Sequence, residues 1–195
     1  MENQDSYGLS TFSEKTHVEH RPMLKSKVDF DKDLRNIQAR LKDSGKTALY
    51  DAIIRDIKAL RREDPYFRRQ LGYARVVCMH LVITDGINNH GESTADDVLE
   101  MLRNPNVEGY HLFLIGANLS SEYRTRLKTL CDSYPKWSTF IGVDGVGTQE
   151  FHLKINNLRT AIRILLKIQE GTTLSQTIDA EVDRGNFEEV LRELT

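Results

Sequence analysis

The chain has 195 residues, of which 39% are hydrophobic and 29% are charged, and this composition excludes a disordered or fibrous protein. Its length suits one domain that is large enough to bury a core. The formal net charge of -2 provides no general attraction to nucleic acid or to an anionic membrane, so we expect neither as a partner.

The sequence gives no sign of export or of membrane insertion. Two cysteines, Cys78 and Cys131, are too few for a disulfide framework, and Cys78 lies in an apolar run that predicts a buried thiol. No apolar run is long enough to span a bilayer, and the first residues lack the basic and apolar regions of a signal peptide. We expect a cytoplasmic protein, while noting that a fragment of a larger or secreted protein has the same features.

The first part of the chain predicts a hairpin followed by two helices. Residues 7–12 and 16–20 have the pattern of two strands joined by a tight turn. A connector at 22–27 leads to an amphipathic helix over 29–41, and a second helix begins at Thr47. The apolar face of this second helix comprises Leu49, Ile53, Ile54, Ile57 and Leu60.

Residues 61–75 predict a polar, basic loop that contains Pro65. The arginines of this segment suit an acidic partner. Glu63 and Asp64 dilute their positive charge, however, and a solvated loop is the favoured interpretation.

The run VVCMHLVITDG at residues 76–86 is the central feature of the sequence. It is apolar and rich in β-branched residues, and it ends in a carboxylate and a glycine. A strand that is apolar on both faces is typical of the interior of a parallel sheet covered by helices. Ligands of such sheets bind beyond the carboxyl ends of the strands, so Asp85 and Gly86 are expected at the ligand-binding edge.

Helices and strands alternate through the rest of the chain. The patterns predict helices over 94–103 and 120–131, strands over 110–116 and 137–143, and a long helix over 148–168. We therefore expect an α/β fold with right-handed crossovers and a mostly parallel sheet. An acidic tail with a last small helix is expected to follow, at 169–195.

Three blocks of this sequence resemble successive blocks of the von Willebrand factor A domain family. They are YGLSTFS at 7–13, KTALYDAI at 46–53 and LVITDGINN at 81–89, and they occur in family order. The resemblance covers residues 5–168. It implies a doubly wound, mostly parallel sheet with helices on both faces and one antiparallel edge strand. It also implies a metal-ion-dependent adhesion site at the carboxyl edge of the sheet.

In this family the metal site takes an Asp-x-Ser-x-Ser motif, a threonine from the TALY region and an aspartate from the TDG region. Thr47 and Asp85 match the last two, and the Asp-x-Ser-x-Ser motif is missing. A magnesium ion requires near-octahedral oxygen ligation. With one hydroxyl and one carboxylate, we expect weak binding of Mg²⁺ or Mn²⁺, at about millimolar affinity or weaker.

The family's first strand, which carries the missing motif, lies between the strands represented here by residues 7–12 and 76–84. Its absence predicts one of two outcomes. Either these two strands pair directly, or their edges stay exposed and promote self-association.

Each candidate residue also has a purely structural interpretation. Thr47 is a suitable helix cap, Asp85 with Gly86 is a common strand-to-loop turn, and Asp51 is expected to face solvent or to pair with Arg55. The glycine-rich segment 142–147 suits a phosphate loop, but its glycine order does not match the dinucleotide fingerprint.

Two classes of function follow from these residues. The first is a non-catalytic interaction module whose sheet edge, with Thr47, Asp85, Asn88 and Asn89, contacts a partner protein that supplies a further metal ligand. The second is an open α/β enzyme, a hydrolase or phosphate-handling protein, that uses Asp85. The interaction module is the expected function, because no activated nucleophile or phosphate loop accompanies that aspartate.

Overall fold

The computed structural model describes residues 6–40, 46–70, 78–107 and 109–143, and it groups them into two compact units. The hairpin unit comprises residues 6–40, 46–70 and 86–107. The sheet unit comprises residues 78–85 and 109–143. The predicted helix over 148–168 and the predicted tail at 169–195 lie outside the described residues, as do positions 144–147 of the glycine-rich segment.

The hairpin unit begins with two antiparallel strands, β1 (Ser6–Phe12) and β2 (Thr16–Leu24). This confirms the predicted hairpin, although β2 continues into the predicted connector. The pairing is irregular on both sides of Leu9, close to the position where Gly8 lies against the ring of Pro22. A proline inside a strand is tolerated at such an irregularity, because the ladder there does not require its missing N–H group.

Three α-helices complete the hairpin unit: α1 (Phe30–Arg40), α2 (Leu49–Gln70) and α3 (Ala95–Arg103). A 3₁₀ turn (Lys25–Lys27) precedes α1. Helix α3 packs against α2, and the core of this unit contains buried apolar side chains from both helices and their flanking loops. They are Ala48, Leu49, Ala52, Ile53, Ile54, Ile57, Val98, Leu102 and Val107.

The prediction of a loop over 61–75 is wrong for residues 61–70, which continue helix α2. Arginine and glutamate are good helix formers, so a charged composition does not by itself end a helix. The side chain of Arg61 also stabilises this part of α2, because its guanidinium donates hydrogen bonds to the carbonyl groups of Asn104 and Pro105 in the loop after α3.

The sheet unit contains three parallel strands in the order β3 (Cys78–Thr84), β4 (Tyr110–Ala117) and β5 (Ser138–Val143). Helix α4 (Ser121–Asp132) connects β4 to β5 and packs against both strands. The prediction of a mixed α/β protein with a parallel sheet is therefore confirmed. None of the helices in the described residues has the length and apolar composition that crossing a membrane would require.

Strands β3 and β4 differ in how they are covered. Almost every residue of β4 is buried, as expected for an interior strand. Along β3, burial alternates, and Met79, Leu81 and Ile83 are 37%, 48% and 56% exposed. The prediction that this strand is buried on both faces is therefore wrong. Strands β1 and β3 belong to separate sheets in the described part of the chain.

Candidate functional site

The start of helix α2 is held by the loop that follows Gly86, within the hairpin unit. The backbone N–H of Thr47 donates to the side-chain oxygen of Asn89 at 2.7 Å, and that of Tyr50 donates to the side-chain oxygen of Asn88 at 3.0 Å. The carbonyl of Thr47 accepts from the backbone N–H groups of Asn89 at 3.1 Å and His90 at 3.2 Å. Thr47, Asn88 and Asn89, three of the four predicted site residues, are therefore brought together.

These hydrogen bonds show that the two asparagines have a structural role. The first N–H groups of a helix have no partner within the helix, and here the Asn88 oxygen accepts from Tyr50 in the first turn. The Asn89 oxygen accepts from Thr47, which lies just before the helix. Asn88 thus caps α2, which is the role that the sequence predicted for Thr47. Contact of Asn88 and Asn89 with a partner protein stays a prediction.

The Thr47 hydroxyl lies against the main chain at Gly86. A Cβ atom at position 86 would lie 2.7 Å from Thr47 Oγ1, which is closer than real Cβ contacts allow. Glycine at this position therefore permits the close approach of the loop to the start of α2.

Asp51 has a structural role in this site that the sequence did not predict. Its carboxylate accepts from the backbone N–H groups of Ser93 at 2.8 Å and Glu92 at 3.1 Å. Asp51 is partly exposed, and the expected pairing with Arg55 is not formed among the described residues. Gly91, with a φ of 102°, has the left-handed conformation that brings these N–H groups to the carboxylate. An aspartate in the first turn of a helix together with a later glycine was the available signal.

Asp85 follows β3 directly and is exposed, as expected for a residue at the carboxyl end of a parallel strand. It belongs to the sheet unit, whereas Thr47, Asn88 and Asn89 belong to the hairpin unit. A hydroxyl and a carboxylate are the oxygen ligands that hard cations prefer, so both residue types suit magnesium. Among the described residues, no group of three or more His, Cys, Asp or Glu side chains is placed to bind a metal.

The buried titratable side chains of the sheet unit have structural roles. His80 is 7% exposed, and its Nδ1 forms a hydrogen bond of 3.0 Å with the hydroxyl of Tyr110. Burial raises the pKa of Cys131 to about 12, so its thiol stays protonated at neutral pH and is a poor nucleophile. Burial also lowers the pKa of His111, whose Nε2 lies 2.8 Å from the Thr139 hydroxyl.

The fold assigns the chain to a structural class and does not identify a protein family. The chain is a mixed α/β protein with a three-stranded parallel sheet and a separate antiparallel hairpin. No protein-family model matches the sequence, and a search of curated proteins finds no match.

Proposed function

We propose that the chain is a non-catalytic protein-interaction module related to the von Willebrand factor A domain. The observation that carries the proposal is the contact between two of its motif blocks. The KTALYDAI segment meets the GINN segment through the Thr47, Asn88 and Asn89 hydrogen bonds and through the close approach of Thr47 to Gly86. The parallel strands β3, β4 and β5, joined by α4, are also what a doubly wound sheet requires.

The proposed partner is another protein that binds at the carboxyl edge of the sheet. The resemblance to the family assigns the Thr47 hydroxyl and the Asp85 carboxylate to a weak Mg²⁺ or Mn²⁺ site. Two protein ligands leave most positions of an octahedral ion to water, so a carboxylate of the partner has a place to bind. The metal therefore has low affinity for the chain alone and joins the two proteins when both are present.

Metal titration tests this proposal. A ligand that binds the folded state stabilises it by mass action, by about 2.7 kcal/mol at one hundred times its dissociation constant. We expect magnesium or manganese to raise the melting temperature of the wild type and to have little effect on Asp85→Asn or Thr47→Val. Asp96→Asn, which removes an exposed carboxylate in the first turn of α3, is the matched control and should respond as the wild type does.

Two results would contradict the proposal. One is the absence of any metal-dependent shift in the wild type, and the other is an equal shift in Asp85→Asn. A hydrolytic activity that disappears in Asp85→Asn would instead support an enzyme.

A further inference from the structure

A second candidate surface lies along helix α2 and begins at Asp51 in its first turn. It is an open groove of about 680 Å³ within the hairpin unit. Residues three or four positions apart on a helix share one face, so cationic residues at this spacing form a continuous basic stripe. The lining residues are Asp51, Ile54, Arg55, Lys58, Arg61, Arg62 and Ser93.

Two of the four cations are fixed in position by backbone carbonyl groups. Arg61 donates through Nε to the carbonyl of Pro105 and through Nη2 to that of Asn104, both at 2.6 Å. Arg55 donates through Nη1 to the carbonyl of Thr16 at 2.5 Å. Carbonyl groups carry no net charge, so both guanidinium groups keep their positive charge and have further N–H donors available. Their order also lowers the entropy cost of binding an anionic group.

The other two cations, Lys58 and Arg62, are exposed. Within the described residues, neither forms an ion pair with a carboxylate. The acidic groups nearby are already engaged: Asp51 accepts from the N–H groups of Glu92 and Ser93, and Asp97 accepts from the N–H group and the hydroxyl of Thr94. The groove therefore offers four cations against one lining carboxylate.

We propose that this groove binds an acidic segment of a partner protein. Its cations span about 10 Å along the helix, which is the length of about three residues of extended peptide. Ile54 lines the groove beside these cations and is almost fully buried, at 8% exposed, so charge is the main property of the groove. The net charge of -2 also opposes binding of long polyanions such as nucleic acid.

This surface is independent of the proposed metal site. It uses neither Thr47 nor Asp85, and its interaction is electrostatic, so added salt weakens it. In this proposal the charged residues at 55–62 bind a partner, in addition to keeping this face of the helix in contact with water.

Fluorescence anisotropy with the full chain tests the proposal. The probe is a fluorescein-labelled peptide of repeated Glu-Glu-Leu units. The variant is Lys58→Glu with Arg62→Glu, which spares Arg55 and Arg61 and their bonds to carbonyl groups. The matched control is Arg126→Glu with Lys128→Glu on α4, an equal charge change at exposed residues that form surface ion pairs, Arg126 also lying over the ring of Tyr123.

We expect the wild type and the α4 control to bind the peptide, and the α2 variant to bind at least about tenfold more weakly. A labelled DNA oligonucleotide is measured in parallel and should bind more weakly than the peptide. Three results would overturn the proposal: no binding by the wild type, an equal loss in the α4 control, or tighter binding of the DNA. Circular dichroism of both variants establishes that they fold.

Discussion

A single carboxylate organises the turn between β3 and α3 in the hairpin unit. Asp51 holds two successive N–H groups of this turn, and Gly91 has a positive φ next to it. A Cβ atom at position 91 would collide with the Asp51 carboxylate, so any side chain there disturbs the same hydrogen bonds. The loop that carries Asn88 and Asn89 thus depends on a residue of α2 for its shape.

The charge of Asp51 makes the stability of this turn depend on pH. Partial burial alone would raise the pKa of Asp51, but hydrogen bonds from Ser93 and Glu92 and the charge of His90 hold it below its ordinary value of 3.8. A carboxyl whose pKa is lower in the folded state stabilises the protein above its unfolded pKa, and this contribution disappears as the pH falls through the folded pKa.

We therefore expect the wild type to lose more stability than Asp51→Asn between neutral pH and about pH 3. Urea denaturation at several pH values measures the difference. Glu100→Gln, at an exposed position of α3, is the control and should follow the wild type. Equal losses in the wild type and in Asp51→Asn would show that the charge of Asp51 does not stabilise the turn.

At the scale of elements, the first turn of α2 depends on a loop that is distant in sequence. Replacing Asn88 by Ala leaves the N–H of Tyr50 without its acceptor, and we expect a loss of about 1 kcal/mol in the free energy of unfolding. Asn88→Asp keeps an oxygen acceptor and places a negative charge near the helix N-terminus, so its stability should stay within about 0.5 kcal/mol of the wild type.

Chemical denaturation of the three proteins checks this prediction. If Asn88→Asp loses as much stability as Asn88→Ala, the side-chain oxygen is not the stabilising group. The same two variants also distinguish a structural role of Asn88 from a role in binding a partner. A variant that keeps its stability and loses a partner identifies Asn88 as a contact residue.

Elements with a strong local signal could be predicted from the sequence. Helices α3 and α4 begin one residue after the predicted starts at Thr94 and Ser120, which are their N-caps, because capping depends mainly on neighbouring residues. Strand β4 has the expected burial on both faces. The continuation of α2 to Gln70 was missed because its stabilising contacts, from Arg61 to the end of α3, come from a distant part of the chain.

The same limit applies to the candidate site. The sequence brought Thr47, Asn88 and Asn89 into one hypothesis through motif resemblance, and the structure places them in contact. It did not show that Asn88 caps α2, that Asn89 binds Thr47 just before the helix, or that Asp51 holds the following turn. A side chain with several possible hydrogen-bond partners has no preference that can be read from its neighbours in sequence.

At the scale of the molecule, the exposed apolar row on β3 is the surface through which we expect copies of the chain to associate. Met79, Leu81 and Ile83 project from a strand at the end of the three-stranded sheet, and exposed apolar side chains at such a position favour association. We expect Leu81→Lys to lower the fraction of dimer or larger species at a given protein concentration.

Sedimentation velocity over a range of concentrations measures this effect. Val18→Lys is the matched control, because Val18 is 45% exposed on β2 and lies outside this row. A wild type that is monomeric at all concentrations would contradict the prediction, as would an equal change in the control.

Pro65 divides helix α2 into an amino-terminal part and a carboxyl-terminal part. A proline has no amide hydrogen and its ring crowds the carbonyl four residues earlier, so the peptide group of Arg61 receives no helical bond from it. On the amino-terminal side, the Arg61 side chain holds the helix to residues 104 and 105. We therefore expect α2 to unwind first from its carboxyl end, beyond residue 66, and later in the part that carries the cations preceding the proline.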